Sequence, residues 1–233
     1  EELFTEIKSR IKEDDSSVPY LDKGYYYYTR YEKDKQYPIY CRKKDNLSAK
    51  EEILIDANEM SKGYEYFRVG DIEISPDNKI MAYSIDTLSR RLYSIYFMDL
   101  ESRKIIDKKI INTSGSITWA NDNETIFYDL KDTQTLRTEK VMRHNLNSNS
   151  PDDEIFFEED ETFSVFSFKT KTDKFLVIGS SATLSQEYRY LDANNPNGEF
   201  QLFQERVKGL EYSIDHFEGK WYIRTNRSEE HTS

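Results

Sequence analysis

Near the N-terminus the apolar positions Leu3, Phe4, Ile7 and Ile11 recur at i, i+1, i+4 and i+8. That spacing lays them along one face of a short amphipathic helix. The polar cluster Glu13-Asp14-Asp15-Ser16-Ser17 predicts its end. The period then changes to two. Residues 24–31 and 36–41, separated by the turn Glu32-Lys33-Asp34-Lys35, predict a β-hairpin rich in side chains that fit a pleated surface. Strand follows strand almost to the end, with centres expected near Tyr27, Ile39, Met81, Phe127, Val177 and Tyr222.

A degenerate repeat organises these strands. Four times a polar turn leads into an apolar strand: 75–79 before Ile80, 121–124 before Thr125-Ile126, 171–174 before Phe175, and 217–220 before Trp221. A fifth instance, Leu21-Asp22-Lys23-Gly24 before Tyr25, precedes them. Taking Tyr25, Ile80, Ile126, Phe175 and Trp221 as equivalent, the intervals are 55, 46, 49 and 46. About four short strands per interval is what one blade of a β-propeller requires. A blade cannot bury both faces alone, so blades pack against one another. The expected fold is therefore all-β, a partial β-propeller behind a short helix. The fifth unit stops just after Asn226, so the chain reads as part of a larger ring.

Composition narrows the function. The chain has 233 residues, and 33 Lys+Arg against 44 Asp+Glu give a net charge of −11, which argues against a nucleic-acid binder. A 36% hydrophobic content leans toward disorder, but 14% aromatic residues, 18 of them Tyr, restore a folded domain. No apolar run reaches the roughly 18 residues of a membrane span, so no membrane partner is expected. The lone Cys41 offers neither an internal disulfide nor a cysteine-built metal site and reads as a small apolar strand residue.

Candidate chemistry is sparse. No two of the eight glycines stand four apart, so the Gly-x-Ser-x-Gly nucleophile elbow is missing from this chain. Gly179-Ser180-Ser181 reads as a blade turn. His144, His216 and His231 form no closely spaced pair, so no metal or cofactor is expected, and hydrogen-bonded or surface roles in strands are assigned to the first two. The segment 192–198 resembles a calcium loop, but its Gly falls at position seven and Phe203 stands where a bidentate Glu belongs, so it reads as a turn. The acidic runs 152–154 and 158–161 read as solvated loop and edge-strand charges, with steering of cationic peptides as the functional alternative. In the turn Ser89-Arg90-Arg91 the arginines are expected to pair with neighbouring acids. Residues 227–233, read back through the genetic code, match a sequencing-adapter stretch and are expected to be a non-native tail.

Several strings carry a family resemblance. They include residues 11–19, Tyr37-Pro38-Ile39-Tyr40-Cys41-Arg42, Ser75-Pro76-Asp77-Asn78, Asp86-Thr87-Leu88-Ser89-Arg90-Arg91, Trp119-Ala120-Asn121-Asp122, Asp160-Glu161-Thr162-Phe163 and Tyr188-Arg189-Tyr190-Leu191-Asp192. In this order, from residue 1 to about 226, the chain resembles the oligopeptidase B branch of the prolyl oligopeptidase family of serine peptidases. The resemblance implies that 1–15 end an N-terminal helical segment. It implies that 16–226 hold the first four blades and part of the fifth of a seven-bladed propeller. A C-terminal α/β-hydrolase domain, absent here, would carry Ser, Asp and His, so no catalytic or substrate-pocket residue can be carried over. The implied parent cleaves short basic peptides after Lys or Arg in the cytoplasm, with the periplasm as an alternative because the N-terminus reads as incomplete. Its propeller partners are those peptides and the missing hydrolase domain. Two other readings remain: a non-catalytic propeller that binds a protein or peptide, and a prolyl oligopeptidase cutting after Pro.

Overall fold

The computed structural model describes residues 1–12 and 14–227, so the suspected tail beyond Arg227, His231 included, lies outside the described residues. Two compact units divide the chain at Arg68 and Val69.

The first unit opens with helix α1 (Glu2–Ser9), which ends at the Arg10 cap, before Ile11. The predicted helix is therefore shorter than its apolar spacing suggested, and Ile11 falls beyond its end. Leu3, Phe4 and Ile7 stay exposed. Strands β1 (Tyr20–Asp22), β2 (Tyr25–Arg30), β3 (Ile39–Lys44) and β4 (Glu51–Asp56) follow in an antiparallel sheet ordered as in sequence. The turn α2 (Ala57–Met60) begins at Asp56, whose carboxylate accepts the amides of Asn58 and Glu59. This turn and residues 61–67 lengthen the first repeat, which accounts for its interval of 55. Tyr27, Ile39, Cys41, Leu54, Ile55 and Phe67 form the buried interior. Cys41 behaves as expected: burial pushes its thiol up to about 12, so it stays protonated and unreactive.

The second unit runs through β5 (Arg68–Ile74), β6 (Ile80–Asp86), β7 (Tyr93–Asp99), β8 (Ile105–Trp119), β9 (Thr125–Lys131), β10 (Thr138–Asn145) and β11 (Asp153–Phe157). It continues with β12 (Ser164–Lys169), β13 (Phe175–Ala182), β14 (Ser185–Asp192), β15 (Gln201–Gln204), β16 (Tyr212–Phe217) and β17 (Lys220–Thr225). Strand β8 serves two repeats: its first half pairs with β7 and its second half with β9. Between the halves, Asn112 and Gly115 take φ values of 63° and 100°. Gly115 crosses Tyr93 so closely that a Cβ there would lie 3.0 Å from the ring, so the crossing requires glycine.

The five positions aligned in sequence all stand at the start of their repeat's second strand: Tyr25 on β2, Ile80 on β6, Ile126 on β9, Phe175 on β13 and Trp221 on β17. In β6, β9 and β13 the positions are mostly buried because both faces are covered, whereas β17 is largely exposed. Ile126 and Tyr128 pack with Trp119 of the paired strand β8 and with Phe97 of β7 in the preceding repeat, whereas Phe127 packs with Val165, Leu176 and Ile178 of the next sheet. One repeat later Leu176 and Ile178 face back, and Val177 faces forward onto Tyr212 and Ile214. This alternation is the period-two geometry of a strand applied to two interfaces at once.

Gly179-Ser180-Ser181 is not a turn. It lies inside β13, paired with β12 and β14, and a Cβ on Gly179 would meet Phe166 Cζ at 2.3 Å. The glycine admits an aromatic ring rather than a reversal of the chain.

Candidate functional site

Hydrogen bonds between neighbouring repeats of the second unit sort its turns into two rims. On the first, the turns entering the second strands interlock. The Asp77 amide donates to Asn123 Oδ1 at 2.8 Å, Asn121 Nδ2 to the Asp173 carbonyl at 2.9 Å, and the Lys171 amide to Asp215 Oδ1 at 3.0 Å. His216 belongs here. It is buried, bonded to Thr172 Oγ1 at 2.8 Å and set edge-on against Phe175 and Trp221.

The second rim gathers the opposite turns and the links between repeats. Lys131 Nζ donates to the Arg91 carbonyl at 2.8 Å, and Arg137 reaches the carbonyls of Glu158 and Phe163. The turn at Ser89-Arg90-Arg91 is held differently from expectation. Asp86, fully buried, accepts the amides of Leu88 and Arg91, each at 2.8 Å. Among the described residues neither Arg90 nor Arg91 forms an ion pair, and both side chains are exposed. A buried aspartate satisfied by two amides fixes the loop more cheaply than two flexible arginine pairs.

Glu158 also departs from its solvated reading. It is 5% exposed and accepts from Arg206 Nη2 at 2.5 Å and from the Ser180 hydroxyl. The Arg206 guanidinium lies 3.7 Å over the Phe163 ring. Burial works to raise the Glu158 carboxyl, but the bonds from Arg206 and Ser180 outweigh it and hold the group below the ordinary carboxylate range. Other acids of the runs do behave as edge charges: Asp153 pairs with Arg143 at 2.6 Å and Glu154 with Lys140 at 2.7 Å across β10 and β11. Residues 192–198 are the expected turn, with Asp192 accepting the Asn194 amide.

A polar cluster lies where β5, β8, β9 and β12 meet. Ser84 Oγ donates to the Gly115 carbonyl at 2.7 Å and accepts the Asp71 amide at 2.9 Å. Asp71 Oδ2 accepts the Ile117 amide at 3.2 Å. Asp129, 1% exposed, accepts from Ser167 Oγ at 2.7 Å, with Ser114 Oγ 3.5 Å away. Burial raises both carboxyls, Asp129 to about 7. Sequence reasoning passed over Asp129 and Asp71. The available signal was Asp129 itself, a charge following Ile126-Phe127-Tyr128 in a strand covered on both faces.

His144 Nδ1 lies 2.7 Å from Asp152 Oδ1, the Tyr128 hydroxyl donates to Asp152 Oδ2 at 2.7 Å, and the imidazole stacks on Phe97. Among the described residues no serine or cysteine is bonded to His144 or His216; His216 meets the Thr172 hydroxyl and His144 the Asp152 carboxylate. No group of three metal-ligating side chains occurs among the described residues.

A profile of the family described as prolyl oligopeptidase, N-terminal beta-propeller domain, matches residues 1–231. Dipeptidyl aminopeptidase BI of Pseudoxanthomonas mexicana is 35% identical, over 97% of this chain and 33% of its own length. Protease 2 of Moraxella lacunata is 31% identical, over 97% of this chain and 34% of its own. The structure of oligopeptidase B from Leishmania major is similar at a TM-score of 0.90 and 32% identity, over 97% of this chain and 32% of that one. The chain thus spans about a third of the length of the relatives it matches.

Proposed function

Because the chain belongs to the prolyl oligopeptidase family as an N-terminal β-propeller domain, we propose that it is the substrate-gating part of a serine oligopeptidase that hydrolyses short peptides after Lys or Arg. The likeness to Leishmania oligopeptidase B along 97% of the chain carries this reading. Residues 1–15 end the N-terminal helical segment, and 16–226 supply the blades. Serine attack, histidine proton transfer and an oxyanion hole belong to a hydrolase domain in the remaining two thirds of such a polypeptide.

What this chain adds is exclusion and field. In this reading the sheets stacked through β9 and β13 form a wall that passes short unfolded chains and stops folded ones. A net charge of −11 lowers the energy of an approaching basic peptide. A second reading is favoured by the 35% identity to dipeptidyl aminopeptidase BI: removal of dipeptides from a free N-terminus. The full-length enzyme separates the two. Cleavage of an N-terminally blocked Arg-Arg coumarin peptide supports the oligopeptidase. Activity confined to dipeptide reporters with a free amino group supports the second reading.

A further inference from the structure

We propose that Asp129 makes the seam between β9 and β12 proton-linked, tightening it when the carboxyl is protonated and loosening it when the carboxyl ionises. The geometry begins with β9, whose faces look onto different neighbours. Asp129 shares the face of Phe127, which packs against β12 and β13, and there it accepts bonds from Ser167 of β12, from Oγ at 2.7 Å and from the backbone amide. Its other oxygen looks toward Ser114 Oγ at 3.5 Å, on the irregular stretch of β8 between Thr113 and Ile117. On β10 the residue opposite is Val141.

No cation compensates this carboxyl among the described residues. The charged group that acts on it is Asp71 of β5, a like charge. Lys131, two positions along the same strand, sends its ammonium to the Arg91 carbonyl at 2.8 Å, and Lys169 of β12 sends its own to Asn121 Oδ1 at 2.9 Å. An ionised Asp129 thus sits 1% exposed, beside another carboxylate, with the Ser167 amide and two hydroxyls as its neutral donors and no cation among the described residues. A protonated Asp129 gains a donor for Ser114 Oγ and loses the repulsion from Asp71.

The direction follows from linkage. Burial raises the closed-state value to about 7, above the roughly 3.9 of an exposed aspartate. The closed seam therefore holds the proton more tightly than the open one. Its stability is greatest below the open-state value, falls as pH rises toward 7, and is level above that. In the gating reading this closes the wall in acid and loosens it near neutrality. The seam itself is independent of that reading.

Backbone amide exchange at β9 and β12, corrected for base catalysis, tests the proposal on the 233-residue chain. The opening constant is expected to rise up to about tenfold per pH unit between pH 5 and 7 and then level, and Asp129→Asn is expected to flatten most of that rise. An unchanged slope in Asp129→Asn overturns the proposal. Should that variant fail to fold, the carboxyl carbon of Asp129 followed by NMR in the unmodified chain decides. A midpoint near neutrality supports the proposal, and full ionisation already at pH 5 refutes it. Peptide cleavage by the full-length enzyme is a separate readout, so failure of the seam and failure of the gating reading are distinguishable.

Discussion

Trp119 donates its indole N–H to the Glu73 carbonyl at 3.2 Å, 46 residues earlier in the chain. Two more bonds have the same separation: the Ile117 amide to Asp71 and the Asp77 amide to Asn123. The repeat interval seen in sequence, 46 between Ile80 and Ile126, is thus also the interval at which these two neighbouring repeats touch. Trp119 is 3% exposed. Trp119→Phe leaves the Glu73 carbonyl without this donor and a gap in the interface, at a cost of about 2 kcal/mol. Urea unfolding, with the midpoint shifted and the slope unchanged, checks this.

Arg206→Ala strands Glu158 with Ser180 as its main partner. Removing one member of a largely buried pair costs about 2 to 3 kcal/mol here, because Arg206 itself keeps some contact with water. The pH dependence has a definite sign. Glu158 lies below the ordinary range in the folded state, so its contribution is present above about pH 4.3 and disappears as pH falls through the depressed folded value. Thermal melts between pH 3 and 6 are expected to show this acid loss in the unmodified chain and a shallower one in Arg206→Ala.

Gly179→Ala places a methyl group against Phe166. The ring is hemmed in by Phe168 at 6.2 Å and Tyr188 at 6.1 Å, so it yields with difficulty, and overpacking costs about 2 kcal/mol. Adding Phe166→Leu to Gly179→Ala is expected to recover part of the loss. A double-mutant cycle with strictly additive effects would show that the glycine serves another purpose.

What the sequence disclosed, and what it hid, divides by range. The second strands were legible because Ile80, Ile126, Phe175 and Trp221 each follow a turn of Asp, Asn, Lys or Gly within a few residues. The burial of Glu158 was not, because its partner Arg206 lies 48 residues further on and its neighbours Glu159, Asp160 and Glu161 have the look of a solvated run. Gly179-Ser180-Ser181 misled for a related reason. Glycine and serine signal a turn locally, while the ring that demands a glycine, Phe166, sits on the paired strand. Helix α1 fell short because spacing alone carried Ile11 past the Arg10 cap.

In the proposed function this chain is the gating portion of a serine oligopeptidase and leaves the chemistry to the hydrolase domain. Cleavage of a blocked Arg-Arg coumarin peptide tests it most directly, assayed with the purified 233-residue chain and with the full-length polypeptide. The sequence holds no Gly-x-Ser-x-Gly elbow, and in the proposed reading the nucleophile and its electrostatic stabilisation belong to the hydrolase domain. The chain alone is expected to leave the peptide intact, and the full-length enzyme to cut it after arginine. Cleavage by the chain alone, lost on His144→Ala or His216→Ala, would contradict the account and place an active site among these strands.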